Sequence, residues 1–169
     1  MNKYEYAKFI IERFDHYYDS VNNKAAFYIG LNTFIFGGIC VGYLTLHDKV
    51  TADAVIWSLF SILVFCNVLS IYFTVIAIVP FLRNNHTPED KASLLYFGGI
   101  ARHTHSHFKE KFTSLLDTEI IDDLIEQAYC LAKGLDGKYK KLKHDSQCVL
   151  LQFAVMLPLL FFIVKNLSK

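Results

Sequence analysis

Three long stretches of this chain contain no Lys, Arg, Asp or Glu: residues 25–46, 54–82 and 148–164. That absence excludes most soluble folds, because a surface built from such stretches would have no charged face. Cysteine is sparse too. Cys40, Cys66, Cys130 and Cys148 show no CxxC spacing, and two of them lie well inside apolar runs. Neither a disulfide framework nor a zinc site fits, and the four read as small apolar fillers. No Gly-rich phosphate loop, Ser-His-Asp pattern or pair of carboxylates stands out. No segment reads as a strand. The first 24 residues carry Glu5, Glu12, Asp15 and Asp19 and hold no apolar core, so a cleavable signal peptide is not expected. No acid or base lies inside the three runs and there is no inverted repeat, which argues against a proton-coupled transporter.

What is present is apolar length. A helix needs about 20 apolar residues to cross a hydrocarbon core about 30 Å thick. The first two runs meet that with residues to spare. The third is shorter and contains Pro158, so it either spans or dips into the bilayer. The expectation is an all-α membrane protein. Residues 1–24 form an amphipathic helix and residues 25–82 a transmembrane hairpin. Residues 83–146 form a small cytoplasmic helical stalk, and residues 147–169 the third apolar span and tail. No cofactor and no metal is expected.

Basic residues set the orientation. Of the 17 Lys and Arg, the segments before residue 25 and between 83 and 146 carry all except Lys49, Lys165 and Lys169. The positive-inside rule then places the N-terminus and residues 83–146 in the cytoplasm of a bacterial inner membrane, with the 47–53 loop outside.

Helical spacing organises the polar parts. Ala7, Ile10, Ile11, Phe14, Tyr17, Tyr18 and Val21 recur every three or four residues. Thr87 reads as an N-cap with Pro88 behind it, and the helix that follows meets Gly98-Gly99, where it bends or ends. A second start lies at Asp117 with Glu119 in its first turn. From there Ile121, Ala128, Leu135 and Leu142 repeat every seven residues, and one helix is expected to run straight into the third span.

Polar and small residues inside the runs are candidates for function. Gly38 and Gly42 form a GxxxG pair that lets helices approach closely. Asn32 and Asn67 each need a hydrogen-bonding partner in a membrane. They either pair within the three-helix bundle or line an oligomer contact or a polar lumen.

The segment Arg102-His103-Thr104-His105-Ser106-His107 is the one cluster with catalytic residue types. His103, His105 and His107 alternate, which suits metal binding from a strand better than from a helix. One Arg and three neutral histidines are thin for a nucleic-acid contact, leaving RNA as an uncertain partner. A polar, pH-sensitive element at the membrane edge is a further reading. Arg102 and His107 also have the Arg-x4-His spacing of HEPN-type ribonucleases, where the Arg steadies phosphate and the His moves protons. No catalytic residue is favoured, and Arg102 with His107 is the alternative.

Several segments carry a resemblance. They are Asn23-Lys24-Ala25-Ala26 before the first span, Leu94-Leu95-Tyr96-Phe97-Gly98 with Ile100-Ala101, and Asp123-Leu124-Ile125-Glu126-Gln127-Ala128-Tyr129 with Lys138-Tyr139 before the last run. From about residue 22 onward the chain resembles the transmembrane effectors of Pycsar anti-phage defence. The resemblance implies that a nucleotide second messenger made during infection triggers damage to the inner membrane. No cyclic-nucleotide-binding domain is recognisable in the sequence. The Arg102–His107 motif is instead similar to small membrane accessory proteins of type VI CRISPR loci, some with a divergent HEPN motif. The expected partners are therefore the lipid bilayer, further copies of the chain, and a nucleotide-signalling or CRISPR effector protein. Between a membrane-depolarising pore and a membrane-tethered ribonuclease, the distribution of residues favours the pore.

Overall fold

The computed structural model describes residues 2–50, 53–80 and 93–168. Among these residues five helices follow in order: α1 (Lys3–Leu46), α2 (Ala54–Ile78), α3 (Phe97–Ile100), α4 (His105–Ser114) and α5 (Asp117–Leu167). There is no strand among the described residues. Helices α1, α2 and α5 are each long and apolar enough to cross a membrane. The chain is an all-α membrane protein.

Helix ends follow from local chemistry. The Asp53 carboxylate caps α2 by accepting from the Val55 N–H at 2.9 Å. At the other end Val79 leaves the helical region with ψ 128°, because the residue before a proline, here Pro80, is pushed out of it. Thr104 caps α4, accepting from the His107 N–H. At the start of α5 the Glu119 carboxylate reaches back to the Leu116 N–H at 2.9 Å, the acidic half of a capping box. Pro158 lies inside α5 without ending it. Neither proline nor glycine occurs between residues 3 and 29, so the N-terminal amphipathic segment and the first apolar run form one helix, α1. The helix start expected at Thr87-Pro88 lies outside the described residues. Ser93 to Tyr96 are not helical, and Gly98 and Gly99 sit inside the short α3.

The described residues pack into two compact units. One is drawn from Met1–Ser20 and Pro80–Asp136, the other from Val21–Val79 and Gly137–Lys169. In the first, Tyr18 Oη donates to the Leu131 carbonyl at 2.9 Å, and Asp123 Oδ2 accepts from the Leu94 and Leu95 N–H groups. Gly99 is required there, because a Cβ would stand 2.2 Å from the Ser93 carbonyl oxygen.

The second unit is a bundle of α1, α2 and α5 with an inverted polarity. Its outside is apolar: Phe34 is 80% exposed, Leu44 70% and Leu157 72%. Such surface is stable against lipid tails, not against water. Toward the turn that joins α1 to α2, the inside is a dry core of Ile35, Ile39, Val50, Ile56, Leu63, Val155 and Leu159. Tyr43, Trp57 and Phe60 cluster at the same end, with ring centroids 5.9–6.1 Å apart, as interfacial aromatics do.

Candidate functional site

Beyond that dry core, the interior of the second unit becomes polar. Asn32 from α1, Asn67, Ser70 and Thr74 from α2, and Asp145 and Gln152 from α5 are all 0% exposed. Their spacing explains the convergence. Residues 67, 70 and 74 fall on one face of α2, and residues 145 and 152, seven apart, fall on one face of α5.

The six side chains form a connected chain of hydrogen bonds. Asp145 accepts from the Ser70 hydroxyl through one oxygen and from Thr74 Oγ1 at 2.5 Å through the other. Ser70 in turn accepts from Asn32 Nδ2 at 2.8 Å. Asn32 Oδ1 accepts from Gln152 Nε2 at 3.2 Å, and Gln152 Oε1 accepts from Asn67 Nδ2 at 3.1 Å. Asn67 Nδ2 also reaches the Asn32 carbonyl, and Gln152 Nε2 the Cys66 carbonyl. At the far end Asn67 Oδ1 is buried with no partner among the described residues.

Two lysines close the end of α2. A helix leaves its last four carbonyls without intrahelical donors. The Val79 N–H serves Val75 at 3.3 Å. Lys138 Nζ donates to the Ala77 and Ile78 carbonyls at 2.6 and 3.1 Å, and Lys141 Nζ to Ile76 at 3.0 Å. All four are satisfied, and both cations stand at the negative end of the helix dipole.

Asn32 and Asn67 thus face the inside of one bundle, bonded to each other through the Asn32 carbonyl and linked through Gln152. Gly38 and Gly42 have a different setting. A Cβ at either would meet no atom within 4 Å, and both line a groove of about 240 Å³ with Phe34, Met156 and Leu160.

Asp145 lies outside all three charge-free runs and still enters the buried seam between the helices. It lies three residues before the third run in sequence, yet it bonds Ser70 and Thr74, which belong to the second run. Sequence reasoning missed Ser70, Thr74, Asp145 and Gln152. The available signal was their register with Asn67, a three- and seven-residue spacing of polar residues that Leu and Val neighbours conceal.

The Arg102–His107 segment is discontinuous. Arg102 sits in the turn that follows α3, Thr104 is extended, and His107 lies in the first turn of α4. No single helix carries both residues. The His103 and His107 rings meet edge to face at 5.1 Å, and both ring nitrogens of His103 are buried without a partner among the described residues. Among those residues, no group of three His, Cys, Asp or Glu is placed to hold a metal ion.

The family model described as the Pycsar effector protein domain matches residues 6–165. No curated protein and no solved structure matches the chain.

Proposed function

From the premise that this chain belongs to the Pycsar effector protein family, as a transmembrane effector of anti-phage defence, we propose that it oligomerises and permeabilises the bacterial inner membrane on a signal from a partner. The observation that carries this reading is the inverted polarity of the second unit. Six buried polar side chains sit inside three membrane-crossing helices whose outer faces are apolar. The partner acts through a nucleotide signal made during infection. The N-terminus and residues 83–146 face the cytoplasm, where such a signal arises.

One copy holds its polar groups against one another, so conduction requires several copies or a parted bundle. The open faces of Gly38 and Gly42 favour close approach by a helix of a second copy. In the assembly, residues 118–146 of α5 lie near the symmetry axis. Arg102 and His107 are structural on this reading, and the protein is an effector rather than an enzyme. The break at Thr104 weighs against the ribonuclease alternative.

The test is a double readout during phage infection of cells that carry the effector and its signalling partner. Membrane potential and RNA integrity are followed for wild type, Arg102→Ala and His107→Ala. Depolarisation in all three with intact RNA is expected. If wild-type cells keep their potential, the pore reading is wrong. RNA cleavage by the purified wild type, lost in both variants, would establish the nuclease instead.

A further inference from the structure

We propose that the buried seam of Asn32, Asn67, Ser70, Thr74, Asp145 and Gln152 is the lining of the open ion path, and that Asp145 makes that path select monovalent cations over anions. The inference rests on the pore reading above and names its lining and its ion class.

Three observations converge on it. The first is the cost of the seam. Interhelical hydrogen bonds in membranes contribute only about 0.6 kcal/mol each on average. Burying a carboxylate costs more than such bonds return unless a cation pairs with it. Asp145 is completely buried and both its oxygens are held by neutral hydroxyls. An apolar bundle of the same shape needs none of this, so the seam is retained for something other than stability. An ionisable group buried among membrane-crossing helices marks function by default.

The second is the order of groups along the bundle. From Asn67 to Thr74 the seam extends about 10 Å along α2, a third of the hydrocarbon thickness. Beyond Thr74 the Lys138 and Lys141 ammoniums are turned onto the carbonyls that end α2. Both cations are thus held at the end of α2, beyond Thr74, and Asp145 is the ionisable side chain among the six of the seam. Beyond Asn67 lies the dry core of Ile35, Ile39, Ile56, Leu63, Val155 and Leu159. A polar stretch closed by an apolar constriction is the arrangement that channels gate by excluding water.

The third is donor chemistry. The seam offers a carboxylate, two hydroxyls and amide oxygens. These are hard oxygen ligands suited to replacing the hydration of K⁺ or Na⁺, and they repel Cl⁻. Asn67 Oδ1 already lacks a donor among the described residues. When the helices part, water and cations take over the bonds that Ser70, Thr74 and Gln152 now make, and the hydroxyl grip on Asp145 is the contact that opening breaks.

The experiment is voltage clamp of giant spheroplasts from cells carrying the effector and its signalling partner, infected with phage and bathed across a KCl gradient. Wild type is expected to pass K⁺ over Cl⁻ by roughly tenfold or more, as a fixed carboxylate in the path dictates. Asp145→Asn keeps the shape and is expected to conduct with a permeability ratio near that of free solution. A wild-type conductance without cation preference, or an Asp145→Asn conductance that keeps it, overturns the assignment. A wild type with no new conductance overturns the pore reading itself. The second measurement does not depend on how Asp145→Asn folds. Ser70→Cys, in a chain with Cys40, Cys66, Cys130 and Cys148 replaced by Ala, is exposed to a cationic, water-soluble methanethiosulfonate. Block of the current after infection, with no modification before it, is expected. A current that persists unmodified excludes the seam from the path.

Discussion

Gln152 joins all three helices of the membrane bundle through one amide, which makes it the most exposed point of failure at the scale of single residues. Gln152→Leu keeps roughly the volume, leaves Asn32 Oδ1 without its side-chain donor, and removes the bonds that Gln152 makes to Asn67 Nδ2 and the Cys66 carbonyl. A loss of about 1–3 kcal/mol is expected in a denaturant titration of the detergent-solubilised protein. The double variant Asn67→Leu/Gln152→Leu removes two groups of the same network, so its cost is expected to fall below the sum of the single costs. Additive costs would mean that the two side chains are not coupled. Asn32 and Asn67 were legible in the sequence because an amide inside an apolar run has few explanations. Asp145 was not, since it precedes the run and looks like part of the charged stretch that includes Lys143 and His144. Only the register of α5 against α2 brings it beside Ser70. Ser and Thr hide for another reason: in membrane helices they usually bond their own backbone, as Thr74 does to the Ser70 carbonyl at 3.0 Å.

Elements show a different balance. The start of α5 was readable from Asp117 and Glu119, and its passage into the third span from the lack of a breaker before Pro158. The end of α2 was readable only in part. Pro80 marks the stop, but what satisfies the freed carbonyls is Lys138 and Lys141, about 60 residues further along the chain. Lys138→Met leaves the Ala77 and Ile78 carbonyls bare in apolar surroundings. It is expected to lower stability by about 1–2 kcal/mol, with amide exchange fastest in the last turn of α2. The paired glycines of α1 give a second prediction. Because a Cβ at Gly38 or Gly42 meets nothing, Gly38→Ile/Gly42→Ile is expected to leave the fold of one copy intact. The same side chains would obstruct a second copy. Cross-linking in native membranes is expected to fall several-fold while circular dichroism stays unchanged; unchanged cross-linking would place the contact elsewhere.

For the whole molecule, fold class and membrane residence follow from charge-free length alone, and the family match over residues 6–165 agrees with the segments that carry the resemblance. Orientation is directly measurable. With the native cysteines replaced, Asp48→Cys is expected to react with a membrane-impermeant thiol reagent in cells whose outer membrane alone is permeable. Reaction only after the inner membrane is breached would invert the topology. The sharing of the polar seam among three helices has a further consequence, for the order of synthesis. Asn32, Asn67, Ser70 and Thr74 leave the ribosome and meet the translocon before Asp145 and Gln152 exist. The hairpin is apolar enough to enter lipid early, but its polar groups then wait without their final partners. The last helix arrives with a carboxylate and an amide that lipid alone disfavours. Its entry is therefore templated by the hairpin already in place, and a last helix presented to the translocon alone should insert less often than the same helix in the full chain. The effector thus delivers the helix that carries its buried carboxylate to the membrane last, only once the earlier helices can receive it.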